Sequence, residues 1–423
     1  MDILVVGGGG REHAIIRKLK ESPRCGTLHC APGNGGIACD AQCHDVAATD
    51  IDGMVALARR LRVDLVFVAP DDPLVAGMVD ALEAAGIPAF GPHANAAVLE
   101  GSKVFSKDLM KRYGIPTAEY EVFDQPEKAL AYVKAKGRYP AVIKADGLAL
   151  GKGVILCDNY EEARQAVKSL MEDKVFGASG SRVVVEEFLT GPEVSVLAFT
   201  DGKTVKPMVS AKDHKRAFDG DAGPNTGGMG TVSPNPYYGE KEADWCMEHI
   251  FQPTVDAMAK EGRPFRGCLF FGLMLTPDGP RVIEYNCRFG DPETQVVLPR
   301  LKTDLLDILD AIREQRLAEL SIDWIDEACA CVVMASGGYP GSYKKGLPIE
   351  GLNRDGQLSE SDITVFHAGT KKEGYSFLTN GGRVLGVTAT AATLEEALDA
   401  AYGAAGGIRF ENAHYRRDIG RVE

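Results

Sequence analysis

The most informative stretch of the chain is VIEYNCRFGDPETQ, residues 282–295. Its first two residues are apolar, as at the end of a buried strand. Because side chains alternate between the faces of a strand, Glu284 and Asn286 should share one face, with Arg288 behind them if the strand persists. That face would offer two oxygens to Mg²⁺ and a guanidinium to a phosphate. A lone E-x-N is more often a polar strand exit with a surface ion pair, so the neighbouring motifs must decide.

The composition is that of a soluble globular protein. The 423 residues suffice for two to four domains of about 100–200 residues each. Hydrophobic residues make up 45% of the chain and charged residues 25%. The net charge of −13, from 47 basic and 60 acidic residues, argues against nucleic acid or an anionic membrane as the main partner. The start of the chain lacks a basic n-region and no apolar run approaches about 20 residues, so we expect a cytoplasmic protein.

The ten cysteines pose a separate question. Cys25, Cys30, Cys39, Cys43 and His44 crowd one region, which could indicate zinc. No C-x-x-C occurs, and Cys30 falls in a predicted strand. Free buried thiols in a reducing compartment are therefore favoured over a zinc site.

The first hundred residues alternate between strand and helix patterns. Strands are predicted over 3–6, 27–31 and 64–69, and helices over 11–21, from 49 or 50 to 62, and over 75–85. This alternation predicts a parallel, doubly wound sheet.

The turn GGGGREH, residues 7–13, follows the first strand. It does not fit a dinucleotide-binding fingerprint, because the third small residue is replaced by Glu12 or His13 and the second strand ends without an acidic residue. The turn better suits an anion, such as a phosphate, at a helix N-terminus. A bare tight turn remains the alternative.

A second region begins with a helix from about Lys103. Residues 141–144 and 154–157 read as strands, and the glycine-punctuated segment 145–153 between them reads as a flexible flap that carries a lysine to phosphate. The segment is not a Walker A loop, because its glycine spacing is one residue short and Gly153 stands in place of Ser or Thr. An ordinary long hairpin is the alternative. Lys144, at the end of an apolar strand, calls for an anionic partner.

Three further segments have polar patterns typical of ligand sites. In VVVEEFLTGPEVS, residues 183–195, a strand leaves the core into a linker that could face a purine. The alternative, which the pattern alone favours, is a strand, a turn and a second strand with exposed glutamates. KDHKR, residues 212–216, precedes GDAGPNTGGMG, residues 220–230. Such a basic group in an acidic chain indicates an anionic ligand, with a solvated charged loop as the alternative.

The remaining pattern predicts core strands over 267–276 and 281–286 and an amphipathic helix over 304–317. A last region follows, with strands over 329–335, 363–367 and 383–388 and a helix over 393–405. The chain has no internal repeat and no long linker.

In this order, the motifs resemble the phosphoribosylamine–glycine ligase (glycinamide ribonucleotide synthetase) family of ATP-grasp enzymes. The resemblance runs from the turn at 7–13 to YRRDIG, residues 415–420, and its most specific pieces are GPNTGGMG, residues 223–230, and residues 284–295. It implies an α/β chain, α+β overall. The N-terminal doubly wound, Rossmann-like preATP-grasp domain would span 1–101. A two-lobed ATP-grasp domain would span 102–318, with a small lid lobe at about 117–190, and a small mixed α/β domain would span 325–423.

The resemblance also implies roles for single residues. ATP would contact Lys103, Lys144, Gly151, Gly153, Glu186, Glu187, Phe188, Leu189, Glu193 and Asn286. Mg²⁺ or Mn²⁺ would be held by Glu284 and Asn286. The substrates would contact Gly9, Gly10, Arg11, Asp71, Asp213, Lys215, Asn225, Thr226, Gly227, Arg288 and Asp291. The catalytic residues would be Lys144, Arg288 and Asp213.

The implied reaction joins glycine to 5-phosphoribosylamine through glycyl phosphate, with ATP giving ADP and phosphate. The implied protein is a monomer that acts on small molecules, without a nucleic acid or membrane partner. Three positions depart from the family pattern: Asp71 replaces a glutamate, Gly8 a serine and Lys212 a glutamine. They bear on phosphoribosylamine binding, so a related ligase with another acceptor stays open, as do a non-catalytic nucleotide-binding module and, less well supported, an NAD-dependent oxidoreductase.

Overall fold

The computed structural model describes residues 1–148, 153–175, 177–359 and 362–421. Within these ranges, no helix combines the length and the apolar character needed to cross a bilayer.

The N-terminal region is a parallel sheet flanked by helices. Its five strands lie in the order β3-β2-β1-β4-β5, and every adjacent pair is parallel. Apolar side chains fill both faces of the central strand, where Ile3, Leu4, Val5 and Val6 are fully buried. The predicted doubly wound sheet is confirmed. Its elements are β1 (Ile3–Gly7), α1 (Gly10–Lys20), β2 (Leu28–Pro32), α2 (Ile37–Asp40), β3 (Gln42–Cys43), α3 (Ile51–Leu61), β4 (Leu65–Val68), α4 (Asp71–Val75), α5 (Met78–Ala84), β5 (Ala89–Phe90) and α6 (Ala94–Gly101).

The helix predicted over 75–85 is wrong in one respect, because the segment forms parts of two helices. Gly77 separates α4 from α5 with φ of +89°, a left-handed conformation that glycine adopts without strain. The break lets α4 begin at Asp71, directly after the sheet.

The next region has a small sheet with a core of its own. The strand order is β6-β9-β7-β8, all antiparallel, so the segment 145–153 does connect two antiparallel strands. Ile143, Val183 and Val185 pack with the helices that cover one face. The elements are α7 (Lys103–Tyr113), β6 (Tyr120–Phe123), α8 (Pro126–Lys136), β7 (Ala141–Ala145), β8 (Val154–Cys157), α9 (Tyr160–Val167), a π-helical turn (Lys168–Glu172), a 3₁₀ turn (Gly177–Gly180) and β9 (Val183–Glu187).

A larger antiparallel sheet follows, in the order β11-β10-β16-β17. A register shift pairs Glu284 with Gly272 and Val282 with Leu273, so Ile283 is an extra residue on β17. Such a bulge redirects the side chains that follow it. The elements are β10 (Glu193–Asp201), β11 (Val205–Pro207), β12 (Lys212–Asp213), β13 (Arg216–Phe218), β14 (Ala222–Asn225), β15 (Gly230–Ser233), α10 (Glu240–Cys246), a π-helical turn (Met247–Phe251), α11 (Gln252–Lys260), β16 (Arg266–Thr276), β17 (Gly279–Asn286), α12 (Thr294–Val297), a 3₁₀ turn (Leu298–Arg300), α13 (Leu305–Arg313) and a 3₁₀ turn (Leu317–Glu319). Helix α13 ends four residues earlier than the predicted helix.

The C-terminal region completes a sheet that the preceding region begins. The order β12-β15-β18-β23-β20 places a strand from the basic segment 212–216 and a strand that follows the glycine-rich segment 220–230 beside three strands from the end of the chain. This shared sheet brings the start of β23 next to residues 226–228. The elements are β18 (Ala328–Ala335), β19 (Pro348–Ile349), β20 (Ile363–His367), β21 (Thr370–Glu373), β22 (Ser376–Thr379), β23 (Arg383–Ala391) and α14 (Leu394–Gly406).

Candidate functional site

Glu284 and Asn286 close strand β17 on one face, as the sequence predicts. Tyr285 between them and Cys287 after them are buried on the other side. Burial would raise the pKa of Glu284, but lysines around it outweigh that effect and lower the pKa to about 2. The carboxylate is therefore ionised at neutral pH.

Three lysines surround Glu284, and we call Lys103, Lys144 and Lys215 the lysine group. The Nζ of Lys215 lies 3.7 Å from Glu284 Oε1 and 3.6 Å from Glu193 Oε2. Attraction to Glu193 is the largest influence on Lys215 and raises its pKa, so it stays charged. The lysine group makes this end of the sheet attractive to an anion.

Lys103 opens helix α7 and points toward the segment that leads to the flap. Its Nζ donates to the Gly147 carbonyl at 3.4 Å. The N-cap Ser102 donates from Oγ to Asp146 Oδ1 at 2.8 Å, which fixes the start of the helix against the same segment. Gly153 closes the segment, and its carbonyl accepts from Ala145 N at 2.8 Å. The expected flap residue 151 lies outside the described residues.

Lys144 has the anionic partner that its position calls for. Its Nζ lies 3.1 Å from Oε2 of Glu186, and both side chains are buried. Glu186, expected near a purine, thus points its carboxylate at lysines. The same oxygen lies 2.9 Å from Nζ of Lys107, which sequence reasoning missed although it follows Lys103 by one helical turn.

The expected purine-facing segment runs from β9 into β10. Glu187 accepts from Glu119 N at 2.9 Å and lies 3.4 Å from Arg281. Phe188 is 40% exposed and Leu189 is partly buried, so the linker presents apolar surface beside the lysine group.

Arg288 is not aligned behind Asn286, because β17 ends at Asn286. Its Nη2 lies 3.2 Å from Glu100 Oε1 and 3.9 Å from Asp71 Oδ2, and donates to Asn286 Oδ1 at 3.4 Å. Glu100, on α6, was missed; it also accepts from Cys287 N at 2.6 Å. Burial raises the pKa of Glu100 to about 7 although Arg288 opposes the shift.

The N-terminal turn differs from an open anion site. The Gly9 N–H donates to Glu12 Oε2 at 2.5 Å, so the protein's own carboxylate takes that position. Arg11 contacts Glu12 at 2.6 Å and donates to the Phe289 carbonyl at 3.1 Å. A Cβ on Gly10 would approach Gln295 Nε2 to 2.5 Å. The turn therefore packs directly on the segment after β17.

Asp213, which is half-buried, and Glu293, which is buried, are neighbouring carboxyls, called here the carboxylate pair. Burial, then repulsion from Glu293, raises the pKa of Asp213 well above its ordinary value. Burial also raises the pKa of Glu293, whose Oε1 accepts from Ser195 Oγ at 3.0 Å. Gly228 packs against Asp213: its φ is +117°, and a Cβ there would lie 2.6 Å from Oδ1. Glu293 was missed because nothing in the sequence distinguishes it from its neighbours.

The loop at residues 225–227 is held from two sides. Thr226 N donates to the Lys215 carbonyl at 2.7 Å, whereas Asn225 is exposed at the end of β14. Arg383 reaches in from β23 and donates to the carbonyls of Gly227 at 2.7 Å and Asp291 at 2.8 Å. Its Nη2 also lies 3.3 Å from the Asp291 carboxylate. Arg383 was missed, since its partners lie far away in the sequence.

The donor set fits a metal ion that keeps most of its positions for other ligands. Glu284 supplies an ionised carboxylate and Asn286 an amide oxygen, the oxygen ligands that Mg²⁺ prefers. Within the described ranges, no cluster of three or more His, Cys, Asp or Glu could hold a metal alone.

Three profiles of the phosphoribosylglycinamide synthetase family match the chain in succession. The N domain matches residues 1–100, the ATP-grasp (A) domain residues 101–294 and the C domain residues 329–422.

Individual relatives match over the whole length. A phosphoribosylamine–glycine ligase from Halalkalibacterium halodurans is 49% identical over 420 residues, which cover 99% of this chain and 96% of that protein. The crystal structure of the phosphoribosylamine–glycine ligase from Thermotoga maritima has a TM-score of 0.86 at 34% identity and covers 99% of this chain and 100% of that one. The biotin carboxylase domain of Hydrogenobacter thermophilus 2-oxoglutarate carboxylase, solved with MgADP and bicarbonate, has a TM-score of 0.76 at 18% identity, with 98% of this chain and 91% of that one covered. The latter likeness is one of fold alone.

Proposed function

Because the chain belongs to the phosphoribosylglycinamide synthetase family, we propose that the lysine group and the carboxylate pair divide the family's reaction between them. The enzyme is an ATP-grasp ligase of purine biosynthesis. It joins glycine to 5-phosphoribosylamine and converts ATP to ADP and phosphate, giving glycinamide ribonucleotide.

The lysine group binds the ATP phosphates in this proposal. Lys103 and Lys144 approach from α7 and β7, and Lys215 approaches from the other side of Glu284. Phosphoryl transfer depends on positioning and on cations that neutralise the spreading charge rather than on an acid or base. The single observation that carries the proposal is the ionised Glu284 among these three lysines. The adenine would lie against the linker at residues 187–189, with Glu193 near the ribose.

Glu284 and Asn286 are the residues that would hold Mg²⁺ or Mn²⁺. A bound divalent ion supplies charge neutralisation to the phosphates. Their two oxygens suit an ion that arrives with the nucleotide, since Mg²⁺ commonly uses one or two protein ligands.

The carboxylate pair would bind the ammonium of glycine. Burial raises the pKa of both carboxyls and repulsion from Glu293 adds to the shift of Asp213, so a bound cation would stabilise their ionised forms. The glycine carboxylate, directed toward the lysine group, attacks the γ-phosphorus, and the bond to ADP breaks. The phosphoribosylamine nitrogen then attacks the carbonyl carbon of glycyl phosphate, loses one proton and releases phosphate.

Phosphoribosylamine would bind where the N-terminal turn meets the segment after β17. Gly9, Gly10 and Arg11 pack there against residues 289–295, and Asp71 lies within 3.9 Å of Arg288. The loop at residues 225–227, held by Arg383, would border the same site.

The test of the reaction is ADP release by the folded protein. We expect release only when both glycine and freshly prepared phosphoribosylamine are present with ATP and Mg²⁺. Absence of glycine-dependent release from folded protein would refute the assignment. The second candidate function is a ligase with another acceptor, motivated by Asp71 and Lys212. The ammonium of Lys212 lies over the ring of Tyr237, 5.1 Å from its centroid. A panel of other amines in the same assay tests this candidate.

The glycine position has a test of its own. The raised pKa values of Asp213 and Glu293 mean that the pair holds protons more readily than free carboxyls do, and a bound ammonium would lower those pKa values. Glycine binding should therefore release protons in the pH range where the pair titrates, measurable by calorimetry in buffers of different ionisation enthalpy at several pH values. Asp213→Asn should abolish the release. Glycine binding without any proton release in the wild type would contradict the pair's role.

Other expectations stay predictions. They are a monomer, a cytoplasmic location, no nucleic-acid partner, and domain boundaries at residues 101–102 and 318–325. Light scattering would test the first and limited proteolysis the last.

A further inference from the structure

Lys107 is a buried cation that none of the roles above uses. It lies one turn after Lys103 on α7, and its side chain is almost fully inaccessible. Its Nζ lies 2.9 Å from Glu186 Oε2 and donates to Thr117 Oγ1 at 2.8 Å. Because a charged lysine is costly to bury, such placement calls for a specific reason.

Two ammonium groups share a single oxygen of Glu186. Lys107 lies at 2.9 Å and Lys144 at 3.1 Å from Oε2. The other oxygen, Oε1, is buried and has no hydrogen-bond partner among the described residues. The three groups together carry a charge of about +1, whereas Lys144 and Glu186 alone would carry none.

The triad also lies where the small sheet meets the strand that carries Glu284. Thr117 Oγ1, which Lys107 contacts, donates to the Val282 carbonyl at 2.7 Å. Lys144 Nζ donates to the Ile283 carbonyl at 3.3 Å. Lys107 is thus linked to β17 in two ways. One link runs through Thr117 to Val282, and the other runs through Glu186 and Lys144 to Ile283.

We propose that Lys107 is a positioning residue for phosphoryl transfer. Its ammonium neutralises the Glu186 carboxylate, so that the charge of Lys144 stays available to the nucleotide phosphates. The proposal rests on the proposed role of Lys144 in ATP binding. Without Lys107, Glu186 would compete with the phosphates for Lys144. An opposite charge within about 4–6 Å shifts a pKa by about 1–3 units, which corresponds to at least about tenfold in an equilibrium.

The decisive experiment is a double-mutant cycle of Lys107→Met and Glu186→Gln. Lys107→Met should lower kcat by about tenfold or more and raise the KM for ATP, while the KM for glycine stays unchanged. In a Glu186→Gln background, Lys107→Met should change kcat by no more than about twofold, the usual limit of additivity. Equal losses in both backgrounds would overturn the proposal, because Lys107 would then act independently of Glu186. If Lys107→Met alone fails to fold, Glu186→Gln is compared with the double variant, and a difference in kcat of more than about twofold between them would overturn the proposal.

Lys111 provides the matched control. It lies on the same helix, is exposed, and its Nζ lies 5.7 Å from the Tyr120 ring centroid, compared with 5.6 Å for Lys107. Lys111→Met should leave kcat unchanged; a loss as large as that of Lys107→Met would overturn the proposal in favour of the shared ring contact. Lys144→Met distinguishes the two levels of inference. If it retains kcat, the phosphate role of Lys144 fails; if it loses kcat while the double-mutant cycle is additive, only the role of Lys107 fails.

Discussion

Glu284→Gln separates the metal-binding role of the carboxylate from its part in stability. The pKa of Glu284 lies at about 2, against an ordinary 4.5. That difference corresponds to about 3 kcal/mol, and partial exposure of the side chain reduces the expected stability loss to about 1–2 kcal/mol. Because the folded pKa is depressed, this stabilisation is present above pH 4.5 and is lost as pH falls through about 2. The variant should therefore remain folded at neutral pH.

Activity should respond far more strongly than stability. The proposed ion would lose its charged protein ligand, and metal stabilisation of a phosphoryl transition state is worth several kcal/mol, so kcat should fall by about a thousandfold. The assay is ADP release at saturating ATP, glycine and phosphoribosylamine over a Mg²⁺ titration, with urea unfolding as the parallel measurement. Asp278→Asn, in the exposed turn between β16 and β17, is the control and should leave both unchanged. A folded Glu284→Gln protein that keeps most of its kcat at limiting Mg²⁺ would refute the metal assignment.

Three further substitutions test the surroundings of the site. Arg383→Met leaves the Asp291 carboxylate without its ion-pair partner at 3.3 Å. Urea unfolding should therefore show a loss of about 3 kcal/mol in the free energy of unfolding, partly restored by adding Asp291→Asn. An unchanged unfolding midpoint would contradict this. Gly228→Ala would place a Cβ 2.4 Å from Pro292 Cδ at a residue whose φ is +117°, so the loop beside Asp213 would shift and the KM for glycine should rise. Gly220→Ala is the control, because Gly220 has open space around it, and it should leave that KM unchanged. The pKa of Glu100 is raised from 4.5 to about 7, so its contribution to stability is present below pH 4.5 and lost as pH rises through about 7. Unfolding at pH 5.5 and 7.5 should therefore show a pH-dependent loss of about 2 kcal/mol in the wild type that Glu100→Gln lacks.

Local patterns in the sequence were sufficient for the strands and for residues that share one strand. The alternation that places Glu284 and Asn286 on one face depends only on the period of a strand, and burial of Tyr285 on the opposite face follows from the same period. The burial of Lys144 could be predicted because an apolar strand surrounds it, and a buried ammonium requires an anion. The identity of that anion, Glu186, was not predictable, since it depends on the pairing of β7 with β9.

Contacts between distant segments account for what sequence reasoning missed. Arg383 begins an ordinary strand, and only the sheet that joins β15, β18 and β23 brings it to Asp291, 92 positions earlier. Glu100 is an unremarkable helical glutamate until α6 packs on the end of β17. The alignment of Arg288 behind Asn286 depends on the strand continuing, and β17 ends at Asn286, so Arg288 contacts Asn286 and Glu100 from the segment that follows.

The distribution of charge explains why glycine would react through its carboxylate rather than its amine. The lysine group holds Glu284 ionised, with its pKa lowered to about 2, and gives that region positive charge. At the carboxylate pair, burial raises both pKa values, and repulsion from Glu293 adds to the shift of Asp213. A zwitterion between two such regions is oriented by its own dipole, with its ammonium at the carboxylate pair and its carboxylate toward the phosphates. The proton released on glycine binding reports this orientation directly, since the reverse placement would put a carboxylate beside the pair and cause proton uptake instead.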